Sequence, residues 1–418
     1  MEVNGILPNG LPVEQEPRVN LRRRRRRRTR RKKKSGMQMP DVAADMNRVY
    51  CHHIRHDFQF FETIAKGRFG TIQRAEYDLG RRKISLAIKF PDYQNTLRSK
   101  KVSGYGKLDK WEAELKTLNE VNRELQIIQR VHQTPTVITD NVIRAASNST
   151  LFHVPYIVLE YGHMDLEAVI NNQRFVFTSE QIRTLSNHLL NGVGALSAKG
   201  ITHEKLQPGH LVLSEYGYLK IADLSPIYAA FSGAKDPDED VRCIHYRAPE
   251  ILFGSISSAK TDIWSVGCII GEMFLREPVF EGKNLNDQIR KIWHYSGGFE
   301  LDWYQQTKKY NELKDIWNEG PEDPCLSERF KPTMRNSAAG DTRGLEFIKY
   351  LLDVDFNTRP TAEQALEQRW VSVNVKPNVR FLVQNFEGPR YKYHMPKDSD
   401  DDEDVEDEEG EEESERME

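Results

Sequence analysis

His203-Glu204-Lys205-Leu206-Gln207-Pro208-Gly209-His210, followed by the short run Tyr218–Leu224, is the stretch on which the reading of this chain turns. It lies between two helical patterns of different kinds. Before it, Thr178 and Gln181 make a capping box, and Ile182, Leu185, Leu189, Val193 and Leu196 recur at helical spacing up to Gly200. This predicts one amphipathic helix with a glycine stop. After it, Thr261–Leu275 is apolar nearly all round, which suits a helix at the centre of a domain. Tyr218–Leu224 itself reads as a strand.

Toward the N-terminus the pattern changes. Phe58–Ile64, Thr71–Tyr77 and Lys83–Phe90 are rich in β-branched and aromatic residues and predict strands, with Lys66–Gly70 and Asp78–Arg82 between them. Trp111, Leu115, Leu118, Leu125 and Ile128 predict a helix over Lys110–Val131. Tyr156–Tyr161 is a further apolar strand. Strands first and helices afterwards give an α+β chain in two lobes, with the break near Glu160–Gly162. The expected division is a β-rich N-lobe at 51–162, a larger helical C-lobe at 163–375 and an extension at 376–396.

Both ends are highly charged. From Arg22 to Lys34 only Thr29 is not Arg or Lys, and 15 of the 22 residues from Lys397 to Glu418 are acidic. The formal net charge of −3 therefore describes neither tail. Such blocks repel themselves and bury nothing, so residues 1–50 and 397–418 are expected to be disordered. The basic run also reads as a nuclear import signal or as an arm for nucleic-acid phosphates. Cys51, Cys243, Cys268 and Cys325 have no metal-ligand spacing, which predicts a reducing compartment and no zinc. No run of 18 apolar residues exists and the start has no hydrophobic signal core. The expectation is a soluble intracellular protein away from membranes, nuclear and also cytoplasmic.

Six motifs occur in a fixed order. Ile64-Ala65-Lys66-Gly67-Arg68-Phe69-Gly70-Thr71-Ile72 is a Gly-rich turn between strands, where backbone can approach phosphate oxygens with no Cβ in the way. Leu86-Ala87-Ile88-Lys89 sets an ammonium among apolar residues, where it needs a partner. Leu159-Glu160-Tyr161-Gly162-His163-Met164-Asp165-Leu166 spans the lobe boundary. Then come the 203–210 loop, Ile221-Ala222-Asp223-Leu224-Ser225, and Tyr246-Arg247-Ala248-Pro249-Glu250 with Asp262-Ile263-Trp264-Ser265-Val266-Gly267 and the distant Arg359-Pro360.

Together these resemble the protein kinases, from about Phe58 to Trp370. Tyr246–Gly254 and Trp264–Phe280 are similar to the cyclin-dependent kinases. Asp287-Gln288-Ile289, Gly298-Phe299 and Asp302-Trp303 are similar to the Mediator-associated branch. The resemblance implies ATP and magnesium as ligands. Ile64, Gly67, Gly70, Ile72, Ala87, Lys89, Leu159, Glu160, Gly162, Val212 and Asp223 stand at nucleotide-binding positions. Glu124, in Asn122-Arg123-Glu124-Leu125, is the implied partner of Lys89, and Asp223 a magnesium ligand. Glu250 and Arg359 are the implied structural ion pair.

The chain departs from the family where chemistry is done. Lys205 stands where the family has its proton-accepting Asp, Gln207 replaces a lysine and His210 replaces the metal-binding Asn. Glu204 replaces the Arg that grips a phosphorylated activation loop, Ala65 the first loop glycine and Ser225 the last residue of DFG. Arg68-Phe69 replaces the Thr-Tyr pair through which many relatives are inhibited. An ammonium at 205 cannot accept a proton at neutral pH, and losing a general base costs about 10²–10⁴ in rate. The expectation is a pseudokinase that regulates or scaffolds, with ATP and magnesium binding weak or absent. Two other expectations stand beside it: an active kinase using a displaced base, and a nucleic-acid or chromatin binder working through Arg22–Lys34. The stretch from Lys89 to Glu124 is longer than the family's, and the Lys110–Val131 helix is the expected face for a protein partner, a cyclin-like one included. Asp236, Asp238, Glu239 and Asp240 are expected to pair with Lys205 or Arg247 and hold the activation segment without phosphorylation.

Overall fold

Strand periodicity decides what faces what in the N-terminal lobe. In the computed structural model the described residues are 58–67, 70–78, 80, 82–91, 130–133, 157–224, 241–255, 257–297, 302–313, 325–336, 342–373, 375 and 379. Strands β1 (Phe58–Gly67), β2 (Gly70–Asp78) and β3 (Lys83–Pro91) form an antiparallel meander. β4 (Arg130–Gln133) and β5 (Ile157–Glu160) complete a sheet of order β1-β2-β3-β5-β4. Side chains alternate across it. Leu86 and Ile88 pack with Phe58, Ala75, Ile84 and Val158 on one face. Ala87 and Lys89 therefore share the other, where Ala87 joins the larger core with Ile64, Ala65 and Leu159.

The predicted strands are present. The helix expected over Lys110–Val131 does not reach its C-terminal limit, because Arg130 and Val131 belong to β4, where Arg130 lies opposite Leu159. Apolar helical periodicity is a local signal, whereas this pairing satisfies backbone groups across 29 residues of chain. The rest of that helix, including Glu124, lies outside the described residues, as do segment 225–240 with its acidic cluster, both charged tails, and residues 376–396 apart from Val379.

The lobes change over where the sequence breaks. β5 ends at Glu160, and Gly162 begins β6 (Gly162–Asp165) in a second sheet of order β6-β7-β8. The Asp165 carboxylate accepts from the Ala168 N–H and caps helix α1 (Leu166–Asn171). Helix α2 (Ser179–Ser197) starts at the predicted capping box, with Thr178 and Gln181 bonding each other's backbone N–H at 2.8 and 3.2 Å. Its chain turns at Gly200, whose φ of +69° favours glycine. A 3₁₀ turn at Pro208–His210 leads into β7 (Leu211–Ser214) and β8 (Leu219–Ile221), the latter shorter than the predicted Tyr218–Leu224.

Helices α3 (Val241–Ile244) and α4 (Pro249–Leu252) precede α5 (Ala259–Leu275), which is buried from Thr261 to Met273 as its all-round apolarity predicts. A Cβ on Gly267 would come within 2.8 Å of Leu352, so glycine lets the two segments approach. Trp264 stacks on Phe280 with centroids 5.5 Å apart. Further helices α6 (Leu285–Ser296), α7 (Asp302–Gln305), α8 (Lys308–Leu313), α9 (Leu326–Asn336), α10 (Thr342–Leu351), α11 (Ala362–Glu367) and α12 (Arg369–Ser372) complete the lobe. Among the described residues no helix is long and apolar enough to cross a membrane.

Candidate active site

The loop at 203–210 is held by its backbone. Asp262, in the first turn of α5, accepts from the N–H groups of His203 and Glu204 at 2.7 and 2.8 Å. This supports a left-handed Glu204 (φ +68°), a strained conformation for a residue with a Cβ. The Glu204 carboxylate accepts from the Ser257 hydroxyl, so it is engaged by the turn that precedes α5. Burial pushes Asp262 up to about 7 despite those two bonds.

Two histidines flank Lys205. Its N–H donates to His203 Nδ1 at 3.4 Å, and its carbonyl accepts from His210 Nδ1 at 2.8 Å. Each bond fixes a tautomer. His203 carries its proton on Nε2 and donates it to the Asp223 carbonyl at 2.5 Å. His210 carries its proton on Nδ1, so its Nε2 lone pair accepts from the Gln207 side-chain amide at 2.9 Å. The Gln207 oxygen faces the Cys243 thiol at 3.8 Å. Burial lowers both imidazoles, His203 to about 4; the His210 ring adds to this at His203 and the Lys205 charge at His210, while Asp223 opposes it at both.

A base whose folded pKa is depressed holds the protein together above its unfolded pKa and loses that contribution as pH falls through the folded one. His203 should therefore destabilise the fold progressively from about pH 6.5 to about pH 4. Thermal melts of the full chain and of His203→Gln across that window check this: the variant should show the smaller acid loss. Parallel profiles would remove His203 as the cause.

Asp223 is the meeting point. Its carboxylate is 3.9 Å from Lys89 Nζ and 3.7 Å from His210 Nε2, and all three side chains are buried. Opposite Lys89 on β2 lies Ile72. Ile64, Ala87, Leu159 and Val212 belong to one apolar cluster against which Ile72 packs. A Cβ on Gly162 would lie 2.7 Å from Val212, so the lobe crossover passes directly over that side chain. Gly67 and Gly70 face each other at the β1–β2 turn. Of the predicted nucleotide-site residues, Ile64, Ile72, Ala87, Leu159 and Val212 thus share one apolar cluster and Lys89 meets Asp223, while Glu124 lies outside the described residues.

Sequence reasoning missed one charged partner here. Lys220 on β8 is fully buried and pairs with Glu160 at 2.5 Å, tying the end of the N-lobe sheet to the C-lobe sheet. The signal was present: a lysine between Leu219 and Ile221 in an apolar strand needs a counter-charge. Farther out, Arg359 makes the expected pair with Glu250, bidentate at 2.8 and 2.9 Å and wholly buried.

An amphipathic β-sheet lobe, a crossover at Glu160–Gly162, a loop fixed to the buried α5 and a distant Arg–Glu pair decide the comparison with known proteins. The sequence pattern of the protein kinase domain matches residues 58–371. The chain belongs to the protein kinase family. This kinase domain is similar to the serine/threonine-protein kinase crk1 of Schizosaccharomyces pombe, 32% identical over 263 residues, or 62% of this chain and 75% of that protein. It is also similar to cyclin-dependent kinase G-2 of Oryza sativa subsp. indica, 28% identical over 279 residues, 63% of this chain and 37% of the relative. Cyclin-dependent kinase 11B of Mus musculus is 31% identical over 238 residues, 57% and 27% of the two chains. The domain is therefore of the cyclin-dependent-kinase-like serine/threonine type. The chain spans well under half the length of the last two relatives.

The family's ligands can be tested against these residues. The apolar walls at Ile64, Ala87, Leu159 and Val212, with the buried Lys89, suit an adenine base and an anionic phosphate chain. Magnesium fits poorly. It wants an octahedron of oxygens, yet residue 210 is an imidazole whose lone pair already accepts from Gln207. Among the described residues no group of three or more His, Cys, Asp or Glu side chains is arranged to hold a metal.

Proposed function

We propose that this protein is a cyclin-dependent-kinase-like pseudokinase: a regulatory or scaffolding module that keeps the kinase fold and an adenine-nucleotide cleft but transfers phosphate extremely slowly or not at all. One observation carries the reading. The loop that positions the family's proton acceptor is held by Asp262, while the side chain it presents at 205 is an ammonium. Phosphoryl transfer asks a kinase for positioning and charge placement. Here the position is maintained and the charge has the wrong sign. Lys89, Asp223 and the apolar walls support retention of the nucleotide as a structural ligand.

The partner surface belongs to the same proposal. Relatives named as cyclin-dependent kinases support a cyclin-like protein as the class of partner, and the stretch between Lys89 and Glu124 is longer than is usual for that family. The experiment separates scaffold from enzyme. The purified full chain, given labelled magnesium ATP and a serine- or threonine-containing peptide, should label the peptide no more than its Lys89→Met variant does. Labelling that Lys89→Met abolishes would assign the role to phosphate transfer instead.

A further inference from the structure

The metal seat of this cleft is closed from within. In the kinase arrangement a divalent cation sits between Asp223 and an oxygen of residue 210. In this chain residue 210 offers one lone pair, on Nε2, and Gln207 occupies it at 2.9 Å. The other ring nitrogen is committed as a donor to the Lys205 carbonyl at 2.8 Å. The second histidine fastens Asp223 from behind, through its carbonyl, at 2.5 Å. Opening a metal position would break the Gln207–His210 bond inside a buried site and leave a buried polar group without that partner. The nitrogen so released would still be a poor ligand for a hard cation.

The charges agree with this arrangement. Asp223 faces the Lys89 ammonium at 3.9 Å, so a cation of the protein already stands against this carboxylate. The Lys205 charge is close enough to His210 to oppose its protonation. A nucleotide triphosphate brings several negative charges, which would face the Lys89 ammonium beside Asp223 and the Lys205 charge near His210.

We infer that the cleft binds adenine nucleotides free of divalent metal, with Lys89 and Lys205 in the counter-charge role and the His203–Lys205–His210–Gln207 clasp excluding the cation. The inference rests on the nucleotide reading above and adds to it the ionic form of the ligand. It also implies that magnesium, which complexes the phosphates in solution, competes with the protein for them.

Calorimetric titration of the full chain with ATP, once in EDTA and once in excess magnesium chloride, tests it. Binding in EDTA at least as tight as in magnesium is the expected result. Binding that tightens about tenfold or more with magnesium, equivalent to roughly 1.4 kcal/mol, would overturn the inference while leaving the nucleotide reading intact. Heat in neither condition would overturn the nucleotide reading itself, and this one with it. The double variant Gln207→Lys, His210→Asn removes the clasp and supplies an amide oxygen. It should gain a magnesium requirement, and if it binds in EDTA as the wild type does, the clasp is not what excludes the metal. Should that variant fail to fold, the wild-type comparison decides alone.

Discussion

Replacing Arg359 by leucine should lower the stability of this protein by about 3–5 kcal/mol, the cost of leaving a buried carboxylate without its partner. The guanidinium donates to both oxygens of Glu250, to the carbonyls of Lys260 and Asp353, and lies 5.2 Å from the centre of the Trp264 ring. Neither side chain reaches water. Thr261 adds a hydroxyl to the same carboxylate at 3.0 Å. The pair joins the start of α4 to a residue 109 positions later, just ahead of α11, and both ends bear on α5, which also anchors the 203–210 loop. In a domain of this size the loss corresponds to a fall in Tm of roughly 5–8 °C. Differential scanning fluorimetry measures it. The double variant Glu250→Leu, Arg359→Leu removes both charges and should cost less than the two single changes added together. A Tm for Arg359→Leu close to wild type would mean that the pair does not brace the lobe.

Reversing the loop chemistry should give the other large effect. The triple variant Lys205→Asp, Gln207→Lys, His210→Asn places a carboxylate at the proton-accepting position, on a backbone that Asp262 already holds. It also supplies an amide oxygen opposite Asp223. Restoring a general base alone is worth about 10²–10⁴ in rate, and effects of residues that act together do not simply add. Transfer of labelled phosphate to a serine- or threonine-containing peptide should rise by at least about a hundredfold over wild type. A folded variant no faster than wild type would move the defect elsewhere, to Ala65 in the glycine loop or to Ser225.

The two effects differ in how visible they were in the amino-acid sequence. Helix α2 was legible because its capping box and its stripe are local. Helix α5 was legible because Thr261–Leu275 is apolar nearly all round, which suits a helix at the centre of a domain. The three-strand meander announced itself by β-branched and aromatic runs. Val131 was misread because an apolar residue at helical spacing gives no sign of a distant β5 partner. Strands β6 to β8 are three or four residues long and stabilised by pairing across the fold, so only one of them showed.

In the cleft, residue identities at 205, 207 and 210 were plain from the motif order, and so was the sign of the charge at 205. Their connection was not. That Gln207 takes up the His210 lone pair, and that both histidines clasp the Lys205 backbone, follows from side-chain directions set by a left-handed Glu204 and a 3₁₀ turn. A non-glycine left-handed residue leaves no mark in composition. The same holds for Glu160 and Lys220, 60 positions apart, which meet only because one ends β5 and the other lies in β8.

Single-turnover transfer with the full chain in excess over labelled magnesium ATP, in the presence of a peptide acceptor, tests the central claim most directly. The account predicts no labelled peptide above the level given by Lys89→Met over many turnovers of an ordinary kinase. A burst of labelled peptide that Lys89→Met abolishes would contradict it.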